Sequence, residues 1–576
     1  MTIQPDTASP GTIPDLLDHA IKQFESKIAM KSHHAWGYQS LTYQEFGRLA
    51  GYLGAGLIAS GLERGHRIAL IAENSPEWTL VYTAVTSCGA TVVPMDTHLK
   101  ENEIRHLLLH SESSFLVTSP RIYDQKIEGM NLEGIAVIIA GDVESQGGFV
   151  TLAEVMALGK DRITGGDDEL STRKESVVPD DTAAICYTSG TTGQPKGAVL
   201  LHRNLCANVI GCRKRIEFDS DDIFLSLLPL YHTFASTCNF LAPVSTGCTV
   251  IFGRSLKSSD IKDDISNEKV TLLVGVPLLF EHMASAIRKK LDAAPGSKKL
   301  LFKIVSNAAS KLGRLLGRNI NKAVFKSKLT ESGLGTIRVC VSGAAALRTD
   351  VEDILTMFGI KILQGYGMTE ASPVIAVSPV DKPRRGTVGL PLDGVRVEID
   401  QPNEEGIGEI VVTGPNVMKE YFKNPEATAE TLREGRLFTG DLGYIDADGY
   451  LTIAGRKKSV IVTAGGKNIY PDEIEILLNQ SPYILECMVL AVKDRKGNDA
   501  LGAIIVPDYN AIGSSTRLEP GRTEEDIKSL IAGEIKSAVE DLPRFKHIAE
   551  FQIRDTELPK TTTKKLKRHM VKWIEE

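Results

Sequence analysis

Hydrophobic positions along the chain fall into two rhythms. Near the amino terminus Leu16, Leu17, Ala20, Ile21 and Phe24 recur at helical spacing. A second helix is predicted over LTYQEFGRLAGYLGAGL, where Thr42 and Glu45 stand in the capping-box arrangement. Short apolar runs then alternate with amphipathic stretches: RIALIAE, TVVPMD, SFLVTS and AVIIAG. Such runs read as strands buried on both faces, so the pattern predicts an α/β fold with largely parallel sheets in several layers. From Val395 the texture changes to alternating strands, VRVEI, GEIVVTG and GYLTIAG, broken by turn residues such as Asp448-Gly449. An antiparallel β subdomain is expected there. GRKKSVIVTAGGKNIYPDEIE (Gly455 to Glu475) passes from a polar connector into a new strand, a Gly-Gly turn and a helix. This places a boundary at Lys458, between a large domain (1–457) and a small α+β domain (458–576) that ends in the basic run LPKTTTKKLKRHM.

The 576 residues are too many for one core. A hydrophobic content of 42% with 24% charged residues is that of an ordinary globular protein, and a net charge of -7 argues against general nucleic-acid binding. Eight cysteines are scattered from Cys88 to Cys487 without a C-x-x-C pair, which suits a reducing compartment. The amino terminus lacks a basic segment followed by an apolar core, and no apolar run reaches bilayer length, so a cytoplasmic location is expected. His106 and His110 in RHLLLH have the i, i+4 spacing of a zinc site but lack the glutamate of H-E-x-x-H, and they read as surface helix positions.

The chemistry is concentrated in a few short segments. YTSGTTGQPKG (Tyr187 to Gly197) gathers three glycines, hydroxyls at Thr188, Ser189, Thr191 and Thr192, and the ammonium of Lys196. Glycines let backbone N–H groups approach a ligand, and with the hydroxyls and the charge this inventory suits a polyphosphate. Because Gly197 follows the lysine, the segment is not a Walker A loop. Apolar runs on both sides, TAAICY and AVLL, predict that the loop joins two strands. A polyphosphate brings Mg²⁺, which takes hard oxygen ligands. Glu370 in QGYGMTE supplies a carboxylate, and Tyr366 supplies a ring for stacking on a base. The alternative for that segment is a strand-to-helix turn with an acidic first residue. Asp441 in FTGDLGYID can accept two hydrogen bonds from a vicinal diol, or be an ordinary turn residue.

Taken in order, YTSGTTGQPKG, LPLYHTFA, SGAAAL, QGYGMTE, FTGDLGY, GRKKSVI, GGKNIYPDEIE and LPKTTTKKLKR resemble the acyl-adenylating superfamily over nearly the whole chain. That superfamily includes acyl-CoA synthetases, luciferases and the adenylation domains of peptide synthetases. The resemblance implies ATP, Mg²⁺ and coenzyme A as cofactors and co-substrates. It makes Thr188, Ser189, Gly190, Thr191, Thr192, Gly193 and Lys196 the phosphate loop, and puts His232 at the acyl pocket. Ser342, Gly343 and Ala344 would line the adenine site together with Gln364, Gly365, Tyr366 and Gly367, while Thr369 and Glu370 would handle phosphate and metal. Asp441 and Arg456 would hold the ribose, Lys458 would be a hinge, and Gly465-Gly466 would flank a pantetheine tunnel. Lys565 would be the mobile catalytic lysine. Lys564 stands where the family commonly has glycine and competes for that role.

The implied reaction is attack of a carboxylate on the α-phosphate of ATP, followed by transfer of the acyl group to a thiol. A long segment before GTIRVCVSGAA resembles an insertion of long-chain fatty acyl-CoA synthetases. Its basic residues are Arg288, Lys289, Lys290, Lys298, Lys299, Lys303, Lys311, Arg314, Arg318, Lys322, Lys326 and Lys328, opposed only by Asp292. Interleaved apolar residues make it amphipathic, so it reads either as a peripheral contact with an anionic membrane surface or as a helical lid with a solvated basic face. Three functions follow: a fatty acyl-CoA synthetase, an aryl-acid or acyl-carrier-protein ligase on the same scaffold, or a nucleotide-binding regulator without catalysis.

Overall fold

Successive residues of a buried strand enter different cores, and this explains why these strands are apolar along their whole length. The computed structural model describes residues 11–33, 37–141, 143, 148–188, 195–292, 324–325, 329–330, 333–462, 468–493, 499–513, 523–560 and 566–574. In it Leu70 enters one core while Ala69 and Ile71 enter another. Phe224, Val250 and Leu272 likewise face the first core, and Leu225, Ile251 and Leu273 a third.

The chain divides into two compact units. The first comprises Met1–Leu347, Val351–Arg396 and Val412–Leu437; the second comprises Arg348–Asp350, Val397–Val411 and Phe438–Glu576. Two sheets of nine and eight strands build the first unit. Six strands of the nine, Ile28–Ser32, Thr249–Phe252, Ile223–Ser226, Leu272–Gly275, Val339–Ser342 and Lys361–Gly367, run parallel in that spatial order. The central strands of the other sheet, among them Arg67–Ile71, Thr91–Pro94, Phe115–Thr118 and Ala136–Ile139, are parallel as well. Helices Tyr43–Ala59, Pro76–Ser87 and His202–Ile216 share one core with the inner faces of both sheets. All twelve residues of Pro76–Ser87 are buried, as expected of a helix enclosed on every side. The predicted capping box is present: Glu45 N–H donates to Thr42 Oγ1 at 3.2 Å and Thr42 N–H to Glu45 Oε2 at 2.8 Å.

From Arg396 the strands form a separate sheet, in which Arg436–Ile445 pairs antiparallel with both Leu432–Arg433 and Leu451–Arg456. Arg396–Asp400, Gly408–Thr413, Arg436–Ile445 and Leu451–Arg456 join a five-stranded sheet, and the Asp448-Gly449 turn is closed by two N–H bonds to Asp446 Oδ1. Farther on, Ile484–Lys493, Asp499–Pro507 and Ile548–Ile553 form a three-stranded sheet. Its core is shared with helices Pro471–Leu478 and Glu524–Ala538. All eight cysteines are buried free thiols. No helix among the described residues is long and apolar enough to cross a membrane. Most of the basic insertion, including residues 293–323, lies outside the described residues.

His202 opens helix His202–Ile216 and is fully buried, with Nδ1 accepting from Ile13 N–H at 3.2 Å. Burial pushes its pKa down to about 4, against weaker opposing pulls from Asp181 and Asp15. The folded state therefore holds the ring neutral, whereas the unfolded chain protonates it near the ordinary value of about 6.5. Stability from this group is complete above that value and is lost as pH falls toward 4. We expect the wild type to lose about 3 kcal/mol more than His202→Gln between pH 7 and pH 4, from the 1.36 kcal/mol per pKa unit. Parallel denaturant titrations at the two pH values check this; equal losses would refute it.

Candidate active site

The phosphate-loop segment is a hairpin. Strands Thr182–Thr188 and Lys196–Leu201 pair antiparallel, with Thr188 opposite Lys196. The intervening Ser189, Gly190, Thr191, Thr192 and Gly193 lie outside the described residues. A third short strand, Glu420–Tyr421, pairs with the second, putting Tyr421 opposite Ala198, and Phe422 N–H donates to Gly197 O at 2.7 Å. The Lys196 ammonium consequently lies 5.2 Å from the Tyr421 ring centroid. On the same ring, the Tyr421 hydroxyl donates to Glu370 Oε1 at 2.6 Å. Two segments far apart in sequence, the phosphate hairpin and QGYGMTE, thus meet at one tyrosine.

Glu370 belongs to a single 3-10 turn, Thr369–Ala371, that follows strand Lys361–Gly367. The turn doubles back tightly: a Cβ on Gly367 would fall 2.0 Å from the Pro373 carbonyl oxygen, and Ser372 has φ 62°. Two buried amides pin it. Asn208 Nδ2 donates to Ala371 O at 3.0 Å and Val374 O at 2.9 Å, and Asn208 Oδ1 accepts from Val374 N–H at 3.0 Å. Asn416 Nδ2 donates to the same two carbonyls, and Met418 N–H to Glu370 O at 2.8 Å. Thr369 is half-buried, and Glu370 is 7% exposed. Among the described residues, Glu370 has no ion-pair partner; its one side-chain bond is from a neutral phenol. A buried carboxylate so placed fits a divalent cation, because buried charges require a counter-charge. Mg²⁺ in particular is commonly held by one or two carboxylates plus phosphate oxygens. Among the described residues no group of three or more His, Cys, Asp or Glu gathers as a metal cluster.

Ser342 ends its parallel strand between Gly275 and Gln364 in register, and Gly343 N–H donates to Gly275 O at 3.1 Å. Carboxyl ends of parallel strands are where open α/β sheets bind ligands. Ser342 Oγ is buried without a hydrogen-bond partner among the described residues, and Ala344 has φ 71°. Beyond this edge Gly365, Tyr366 and Gly367 pair antiparallel with Val374–Val377, leaving Tyr366 half-buried. Gln364 is engaged locally, its Oε1 accepting from Leu347 N–H at 3.4 Å and its Nε2 donating to Glu352 Oε2 at 3.2 Å. A Cβ on Gly343 would meet the Phe234 ring at 2.7 Å, so the LPLYHTFA segment packs directly against the SGA turn. His232 stands at the start of helix Thr233–Ala235, its ring 4.3 Å from that of Tyr231. Asn74 shapes the preceding turn by donating to Leu228 O and accepting from Leu230 N–H.

In the second unit, Asp441 and Arg456 are direct cross-strand neighbours with Arg456 Nε 3.4 Å from Asp441 Oδ1. Lys458 is exposed in the 3-10 turn Lys457–Ser459, while Lys457 pairs with Glu409 at 2.6 Å. Gly465, Gly466, Lys564 and Lys565 lie outside the described residues. The chain flanking the lysines is held: Lys560 and Leu566 form an antiparallel bridge. Arg568 donates to both oxygens of Glu475 at 2.7 and 2.6 Å and to Asp472 Oδ1 at 2.8 Å.

His106 is exposed on helix Glu101–Ser111, and His110, on the same helix, has its Nδ1 2.7 Å from the Tyr187 hydroxyl. Sequence reasoning missed Tyr421, Asn208 and Asn416. Asn208 had a signal, an amide on the apolar face of its helix in LCANVI. Tyr421 had none beyond its place in KEYFKNPEAT.

The fold is that of the adenylate-forming ligases. The chain belongs to the AMP-binding enzyme family: the family model matches residues 17–422, and the model of the AMP-binding enzyme C-terminal domain matches residues 473–565. It is similar to the peroxisomal long chain acyl-CoA synthetase 7 of Arabidopsis thaliana, 31% identical over 84% of this chain and 72% of the relative. A feruloyl-CoA synthase of an Amycolatopsis species is 30% identical over 82% of this chain and 84% of its own. Among solved structures, ATP-bound MatB from Rhodopseudomonas palustris superposes with a TM-score of 0.73 at 25% identity, covering 97% of this chain and 98% of its own. The chain is thereby placed among the adenylate-forming acyl-CoA, aryl-CoA and acyl-carrier-protein ligases.

Proposed function

We propose that the protein is a fatty acid–CoA ligase that forms an acyl-AMP from ATP and transfers the acyl group to coenzyme A. The observation that carries the adenylation step is the buried Glu370 carboxylate, without a cationic protein partner among the described residues, joined through Tyr421 to Lys196. The substrate carboxylate oxygen bonds to the α-phosphorus as the bond to the bridging oxygen breaks, and pyrophosphate leaves with that electron pair. The sulfur of coenzyme A then bonds to the acyl carbonyl, AMP departs with the electron pair of the mixed anhydride, and the thiol proton is released.

Lys196 places positive charge beside the phosphates, and Lys565 is assigned the charge that builds on the α-phosphoryl oxygens during attack. Glu370 would hold Mg²⁺, which supplies charge neutralisation for the triphosphate when bound. Asp441, in register with Arg456, is suited to accept from the ribose hydroxyls. Ser342 Oγ, buried and unsatisfied among the described residues, offers a hydrogen bond at the nucleotide edge of the sheet. Lys458 is assigned the hinge between 1–457 and 458–576, whose rotation exchanges Lys565 for the Gly465-Gly466 segment.

The likeness to a long chain acyl-CoA synthetase supports a fatty acid, and the likeness to a feruloyl-CoA synthase supports the second reading, an aryl acid. AMP release measured over carboxylic acids of graded length and over aryl acids, with coenzyme A present, separates them. Turnover that rises with aliphatic chain length is expected; a preference for aryl acids would replace the fatty-acid assignment.

The half-reactions separate the two lysines. Lys565→Ala is expected to abolish acyl-AMP formation while still converting supplied acyl-AMP and coenzyme A to thioester. If Lys564→Ala gives that pattern, the catalytic lysine is its neighbour. Lys458→Pro is expected to show the reverse, retaining acid-dependent pyrophosphate exchange and losing thioester synthesis. Proline fixes φ and removes an N–H, but the hydrogen bond closing this turn, Val460 N–H to Lys457 O, does not involve residue 458. Thioester synthesis at the wild-type rate by Lys458→Pro would place the hinge elsewhere.

A further inference from the structure

Tyr421 is buried, and both of its ends touch a group that the proposed reaction uses. We propose that it is a positioning residue with two separable parts: its hydroxyl orients the Glu370 carboxylate for a divalent cation, and its ring seats the Lys196 ammonium. The proposal rests on the adenylating function assigned above and adds to it a residue through which the metal carboxylate and the phosphate-loop cation are set together.

The side chain is itself fixed before any ligand arrives. Its strand is registered on the hairpin through Ala198, and Phe422 N–H bonds to Gly197 O. Tyr421 N–H donates to Thr428 Oγ1 at 2.9 Å, and Thr428 in turn donates to Asn424 O at 2.8 Å. Asn424 caps helix Pro425–Thr431. Backbone pairing on one side and a capped helix on the other leave the ring little freedom.

The hydroxyl bond at 2.6 Å is short, as expected for a donor facing an ionised oxygen. A phenol is a hydrogen-bond donor throughout the neutral range. One oxygen of Glu370 is thereby committed to the protein; the other has no hydrogen-bond or ion-pair partner among the described residues. Mg²⁺ tolerates little departure from octahedral geometry, so fixing the carboxylate plane matters more for it than for a larger ion. Outer groups that orient a ligating side chain typically contribute 10- to 100-fold to metal affinity. At the ring, the Lys196 ammonium lies within the roughly 6 Å range of cation–π attraction. That holds a flexible four-carbon side chain near one place while leaving its charge available to a phosphate.

Two variants of the full chain separate the parts. Tyr421→Phe removes the hydroxyl and keeps the ring; Tyr421→Leu removes both. Calorimetric titration with ATP, with and without Mg²⁺, reads each without turnover. For Tyr421→Phe we expect metal-free ATP affinity to stay at the wild-type value while the Mg²⁺ concentration giving half-maximal enhancement of ATP binding rises about tenfold. For Tyr421→Leu the same metal defect should be joined by a severalfold loss of metal-free ATP affinity. An unchanged Mg²⁺ requirement in Tyr421→Phe overturns the carboxylate role, and metal-free binding by Tyr421→Leu equal to that of Tyr421→Phe overturns the lysine role. If Tyr421→Leu fails to fold, replacing Lys196 with Met in the Tyr421→Phe background supplies the second arm, with the same expected loss. A wild type that binds Mg·ATP with these dependences but turns over no acid would remove the ligase reading and leave the positioning role intact. One that binds no Mg·ATP removes both.

Discussion

A carboxylate taken out of water needs a counter-charge, and around Glu370 no cationic partner is supplied by the described residues. The rest of the first unit can be understood as the scaffold that makes this arrangement tolerable. The turn carrying Glu370 is locked by six hydrogen bonds that Asn208, Asn416 and Met418 make with the backbone between Glu370 and Val374. Buried amides used in this way satisfy backbone groups that a 3-10 turn would otherwise strand, and leaving one unpaired costs on the order of 1–3 kcal/mol. Rigidity is thus built into the carboxylate's surroundings.

The same economy of position appears at the sheet edges. Ser342 and Gln364 stand side by side because their strands are parallel and in register. Strand Lys361–Gly367 then changes partners, pairing antiparallel with Val374–Val377, and so delivers Tyr366 and Glu370 past the end of the parallel sheet. In the second unit a cross-strand pair performs the analogous task, holding Asp441 and Arg456 opposite one another.

Much of this was legible in the residues. Strand runs such as RIALIAE announced themselves because both faces are buried, and the Thr42–Glu45 box marked its helix start through local chemistry alone. The hairpin around Lys196 was readable from its flanks. What could not be read was adjacency across distant segments. Tyr421 meets Glu370 and Lys196 only because a two-residue strand pairs with the far side of the hairpin, and no periodicity encodes that pairing. Gly367 illustrates a different gap: nothing in its sequence neighbourhood tells that the Pro373 carbonyl oxygen stands where a Cβ would fall, which the structure shows. Substrate identity is hidden for a similar reason, since an acyl pocket is a shape assembled from many elements and leaves no motif.

Whether the charge of Glu370 serves adenylation is read from exchange of labelled pyrophosphate into ATP without coenzyme A. Comparing wild type with Glu370→Gln over a range of Mg²⁺ isolates that charge from the shape of the side chain. Exchange by the wild type is expected only when a carboxylic acid is present, with a loss of about tenfold or more in Glu370→Gln at limiting Mg²⁺, the scale expected when a hard cation loses an anionic ligand. Equal exchange by both proteins at limiting Mg²⁺, or exchange that ignores the acid, would contradict this role in adenylation.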